Sequence, residues 1–186
     1  MAAVLLLLGL WLAWTPDKPA DELLAHYAQS GTQLLQIDGQ RVYLQDTGPR
    51  EASPIVLLHG FGASLQTWDA WAAVLALEHR VIRLDIAGFG LSGPAADKDY
   101  SEAADVRRLL AVLDHLGVQQ SVLIGHSMGG HNAMTFAAVA SSNGDAIVRT
   151  PPASPDPPVH TAYLPTRFSA DENSLENGVG SRTTIR

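Results

Sequence analysis

Apolar positions in this chain come in short runs with two different spacings, separated by polar breaks. Residues 34–37 and 42–45 predict two short strands, joined by a turn at Asp38-Gly39, a dipeptide suited to a tight hairpin bend. Residues 55–58 (IVLL) are wholly apolar, which predicts a central strand covered on both faces. Trp68, Trp71, Ala72 and Leu75 then recur at helical spacing within residues 67–77. A further short strand is predicted over residues 81–84, ending at Asp85. Ser101 suits the N-cap of a helix that carries Val106, Leu109, Leu110, Leu113 and Leu116 on one face and stops at Gly117. Residues 122–124 predict another buried strand, and 128–140 another helix. This alternation reads as an α/β chain: a mostly parallel sheet with an N-terminal β-hairpin and flanking helices. Ligand sites in such sheets lie beyond the carboxyl ends of the strands. The glycine-rich segments after Leu58, Leu84 and Ile124 all fall at that edge.

Both ends of the chain depart from this pattern. Residues 2–14 (AAVLLLLGLWLAW) carry no charge and are followed by the break Thr15-Pro16-Asp17-Lys18-Pro19. Thirteen residues fall short of the ~20 that span a bilayer but suit the apolar part of a signal peptide. No basic residue precedes the run, and no small-x-small cleavage site follows it. The expectation is a membrane-anchored or exported protein, with Trp11 and Trp14 at the lipid–water interface. The alternative is a helix packed on the domain of a cytoplasmic protein. Residues 16–31 read as a polar linker with a short helix over 22–29. Apolar periodicity stops after residue 139. Residues 141–186 hold six of the eleven prolines and read as an irregular, disordered tail, with 146–148 as a lone strand candidate. The chain therefore divides into a segment 1–15, a linker 16–31, a folded region 32–140 and the tail 141–186.

Composition narrows the chemistry. With 46% hydrophobic and 17% charged residues, the 186-residue chain is ordinary globular material, long enough for one domain. A net charge of −7 without a basic cluster argues against a nucleic-acid partner. Cysteine is absent, which excludes disulfides, thiol catalysis and thiolate metal sites. Neither a metal nor a cofactor is expected.

The candidate chemistry sits in three loops. Gly125-His126-Ser127-Met128-Gly129 has the Gly-x-Ser-x-Gly pattern between a predicted strand and a predicted helix, the context of a nucleophilic serine on a sharp turn. Gly125 and Gly129 remove side chains that would collide with the turn and the neighbouring strand. The Met128 N–H, at a helix N-terminus, can face a developing negative charge. His59-Gly60-Phe61-Gly62 follows the earlier strand, where acyl-transfer enzymes place a second oxyanion donor; Phe61 N–H is the candidate. His59 lies too close to the strand end for a general base and reads as structural.

The third loop is Asp85-Ile86-Ala87-Gly88-Phe89-Gly90-Leu91-Ser92. In this order and spacing, His-Gly-Phe-Gly, Asp-x-x-Gly-x-Gly-x-Ser and Gly-His-Ser-Met-Gly-Gly resemble the α/β-hydrolase fold superfamily, in its esterase- and lipase-like branch, over roughly residues 33–140. The resemblance implies a partial α/β-hydrolase fold with Ser127 as nucleophile, Phe61 and Met128 as backbone oxyanion donors, and Asp85 as a brace for its glycine loop. Related dehalogenases and epoxide hydrolases carry aspartate at the elbow, so Ser127 disfavours those chemistries.

Such an enzyme also needs an acid and a histidine after the serine. Three more βα units would take ~90 residues, whereas 59 follow Ser127. The histidines after it are His131, fixed one turn along the same predicted helix, and His160, with Asp156 four residues before it. No strand is evident to hold the Asp156/His160 pair. The expectation is the N-terminal part of a hydrolase, truncated after the nucleophile helix and followed by a foreign tail. As an enzyme it would hydrolyse carboxylic esters or related acyl substrates; a lactonase or carbon–carbon bond hydrolase would use the same nucleophile. The alternative is a catalytically incomplete remnant, or a binding protein on the same fold.

Overall fold

Asp38 and Gly39 both hold left-handed backbone, with φ of 50° and 77°. That is the bend a two-residue hairpin needs, and it joins β1 (Thr32–Ile37) to β2 (Gln40–Thr47) in antiparallel register, Ile37 facing Gln40. The computed structural model describes residues 4, 9, 14, 18–142 and 161–162, and every structural statement below concerns these.

Beyond the hairpin come β3 (Pro54–Leu58), a 3₁₀ turn (Leu65–Trp68) running into α2 (Asp69–Leu75), β4 (Arg80–Leu84), α3 (Glu102–His115), β5 (Val122–Gly125) and α4 (Met128–Ser142). A short helix, α1 (Ala20–Tyr27), precedes the hairpin. The sheet order is β1-β2-β4-β3-β5-β6, where β6 is Thr161–Ala162. β4, β3 and β5 are parallel; the hairpin joins antiparallel through β2 to β4, and β6 pairs antiparallel with β5. β6 falls within the stretch read as irregular, where it meets the ladder groups that β5 leaves open on that side. The strand candidate at 146–148 lies outside the described residues.

The apolar run of β3 forms a strand because both its faces are buried. Successive side chains point to opposite sides. Val56 and Leu58 enter the larger core with Ile82, Leu84, Leu123, Val106, Leu109, Val112, Leu113, Ala133 and Phe136, between the sheet and α3 and α4. Ile55 and Leu57 enter a second cluster with Val81, Ile124, Trp68 and Ala72 under α2. A third, smaller cluster joins Tyr43, Leu65 and Leu91, and Leu23 and Leu24 of α1 pack on it. Over the segment predicted as a helix at 67–77, the chain is a 3₁₀ turn up to Trp68 and α-helical from Asp69, whose exposed carboxylate pairs with buried Arg83 at 2.5 Å. α3 begins as its sequence demands, with the Ser101 hydroxyl accepting from Ala104 N–H at 3.3 Å.

Candidate active site

Three parallel strands end level with one another. In register, Leu58 faces Leu84 on one side and Gly125 on the other. His59, Asp85 and His126 are therefore neighbours at the first position beyond the strands, and the loops starting there form one edge.

Ser127 lies at that edge with φ of 53°, left-handed backbone that a non-glycine residue rarely adopts. Its strain is held from several sides. His126 N–H donates to the Leu58 carbonyl at 3.1 Å, Gly129 N–H to His126 O at 3.0 Å, and His131 N–H to Ser127 O at 3.0 Å. Gly125 and Gly129 need no positive φ; they supply room. A Cβ on Gly125 would strike the Gly129 carbonyl, and one on Gly129 would strike the carbonyls of Leu58 and His59. The turn thus projects Ser127, which is exposed, from the start of a 15-residue helix. Met128 opens that helix, so its N–H has no intrahelical acceptor.

The loop after β3 touches this turn. A Cβ built on Gly60 would sit 3.3 Å from the Ser127 Cβ and 2.9 Å from His126 Nδ1, so any side chain there would crowd the turn. Phe61 follows, 80% exposed, its ring edge-on to Phe89 at 5.4 Å. Sequence reasoning brought Phe61, Met128 and Ser127 to one edge, and the structure places all three there.

Asp85 does more than brace its own loop. Its carboxylate accepts from Leu91 N–H at 2.8 Å, within that loop, and from Leu65 N–H at 2.7 Å, at the far end of the loop carrying Phe61. Burial pushes this carboxyl above the usual range, and the two N–H bonds pull part of the way back. Ser92 completes the brace: its hydroxyl donates to the Asp85 carbonyl at 2.7 Å and accepts from Tyr43 N–H at 2.9 Å. The link from Asp85 to Leu65 spans twenty residues and leaves no trace in local sequence pattern. Ser92, by contrast, closes the Asp-x-x-Gly-x-Gly-x-Ser motif and was visible there.

The candidate general bases are placed elsewhere or not described. His59 is fully buried with both ring nitrogens engaged: Nε2 accepts from Ile86 N–H at 3.0 Å, and Nδ1 lies 2.8 Å from the Gly60 carbonyl. That fits its structural reading. His131 Nε2 pairs with Glu102 Oε1 at 2.6 Å, across to α3. Asp156 and His160 lie outside the described residues. Among the described residues, no side chain hydrogen-bonds the Ser127 hydroxyl, and no group of three or more His, Asp or Glu is arranged to hold a metal ion.

Comparison with known proteins places this geometry. The family profile described as alpha/beta hydrolase fold matches residues 53–168. The acetyltransferase component (dihydrolipoyllysine-residue) of the acetoin cleaving system of Pseudomonas putida is 38% identical over 109 residues, covering 58% of this chain and 29% of that protein. The 2-hydroxymuconate semialdehyde hydrolase of Pseudomonas sp. (strain CF600) is 37% identical over 102 residues, covering 53% of this chain and 35% of that one. Among solved structures, a membrane phospholipase A described as a bacterial virulence factor superposes with a TM-score of 0.57 at 29% identity, covering 74% of this chain and 48% of that one. The chain therefore spans about a third of the length of the curated relatives it matches.

Proposed function

The chain belongs to the alpha/beta hydrolase fold family, and from that premise we propose that Ser127 is the nucleophile of a serine hydrolase acting on carboxylic esters or related acyl compounds. The observation that carries the proposal is the left-handed, glycine-walled turn that exposes Ser127 against Gly60. In this reading the Ser127 hydroxyl attacks the acyl carbon, and the carbonyl oxygen becomes an oxyanion. The N–H groups of Phe61 and Met128 receive it, at the positive end of α4. The alcohol leaves, and water releases the acyl group from the serine.

The reaction also requires a base to take the serine proton. A second reading is that the chain keeps the nucleophile fold without a base to activate the serine; among the described residues, no side chain hydrogen-bonds the Ser127 hydroxyl. A fluorophosphonate probe separates the two. Folded protein that labels, and loses labelling in Ser127→Ala, supports the enzyme; folded protein that stays unlabelled supports the incomplete fold.

We further assign residues 2–14 as an export or membrane-anchoring segment, on their uncharged composition. Among the described residues, no helix is long and apolar enough to cross a membrane. Deleting residues 1–15 should move the protein into the soluble fraction; an unchanged distribution would count against the assignment.

A further inference from the structure

We propose that His59 is a positioning residue that sets the direction of the Phe61 N–H, an inference that rests on the reading of Phe61 as an oxyanion donor. The ring has one proton to place, and its surroundings decide where. Nε2 accepts from the Ile86 N–H at 3.0 Å, so the proton belongs on Nδ1. Nδ1–H then donates to the Gly60 carbonyl at 2.8 Å. The Gly60–Phe61 peptide is trans, since no cis bond occurs among the described residues. In a trans peptide the N–H points opposite to the C=O. Holding the Gly60 carbonyl toward His59 therefore holds the Phe61 N–H away from it.

Without this bond the carbonyl would be held by one longer contact, from Ala63 N–H at 3.3 Å. The Gly60–Phe61 peptide turns about Gly60 on one side, and glycine resists rotation least. The ring supports Phe61 from its side chain as well. His59 packs edge-on against Phe89 with centroids 5.7 Å apart, and Phe89 in turn meets Phe61.

His59 and Asp85 are reciprocal ties between neighbouring loops. Asp85 reaches from the loop after β4 to Leu65 at the end of the loop after β3. His59 reaches from the start of the β3 loop to Ile86 at the start of the β4 loop. The Phe61 donor lies between these two fastenings.

Two substitutions in the full chain divide the ring's functions. In His59→Asn the amide nitrogen occupies the Nδ1 position and keeps the bond to Gly60. In His59→Gln the amide oxygen reaches the Nε2 position and keeps the bond from Ile86. Both lose one buried hydrogen bond, so their melting temperatures should fall alike. The rate of Ser127 labelling by a fluorophosphonate should separate them: His59→Gln slows by about 100-fold, as a misplaced catalytic group does, whereas His59→Asn retains most of the rate. Equal rates in the two variants, or a slower His59→Asn, would overturn the proposal. The ring nitrogens of wild-type His59, read by ¹⁵N NMR, give an independent test: the proton must be found on Nδ1, and a proton on Nε2 sinks the idea. A folded wild-type chain that fails to label overturns the reading of Ser127 instead, and His59 is then judged on the ring nitrogens alone.

Discussion

Replacing Asp85 by asparagine is the sharpest probe of how the site is held together. The carboxylate is 2% exposed and serves two N–H donors in different loops, Leu65 at 2.7 Å and Leu91 at 2.8 Å. Asparagine has nearly the same shape but only one accepting oxygen. Whichever N–H it keeps, its own amide hydrogens face the other, leaving a buried donor unsatisfied. That costs roughly 1–3 kcal/mol, which for a domain of this size lowers Tm by roughly 4–12 °C. The cost should also depend on pH. Because burial raises the Asp85 carboxyl in the folded state, the wild-type chain holds this proton more tightly when folded. Its contribution to stability is complete below the unfolded carboxyl range and is lost as pH rises through the folded value. Asparagine does not titrate, so the gap between wild type and Asp85→Asn should be widest in acid and narrow as pH rises through that window. Urea unfolding from pH 4 to pH 8 measures both effects. A loss below about 0.5 kcal/mol, within surface-substitution range, or a gap that widens with pH, would refute the reasoning.

Two further substitutions test the turn itself. Gly129→Ala drives a methyl group into the carbonyls of Leu58 and His59, backbone atoms with no room to move; a loss of about 3 kcal/mol or failure to fold is expected, and a variant that unfolds at the wild-type urea midpoint would contradict it. Ser127→Gly relieves the left-handed strain at φ 53° and should raise stability by roughly 1 kcal/mol while abolishing probe labelling. Thermal melting reads the first effect and mass spectrometry the second.

Much of the frame was legible because it depends on neighbours in the chain. Asp38-Gly39 predicts its own bend, residues 55–58 and 122–124 their own burial, and Ser101 the start of its own helix. The parallel core of the sheet follows from the alternation of strands and helices. The edge strand β6 was not legible: a two-residue strand in a proline-rich stretch has no periodicity, and only the open side of β5 selects it. Nor did pattern show that residues 67 and 68 would close a 3₁₀ turn, or that Asp69 would pair with Arg83 on a different strand.

The same division runs through the candidate site. Sequence alone determined which residues could do chemistry: Ser127 between its glycines, Phe61 after His59-Gly60, Met128 at a helix start. These are local facts, set by which residues tolerate a strained turn or a close backbone approach. Tertiary structure alone decided how they are held. Asp85 fastens Leu65 across twenty residues, and His59 fastens Ile86 across 27. A hydrogen bond between buried groups depends on position within a few tenths of an ångström, and only the packed sheet brings three distant loops level enough to satisfy that.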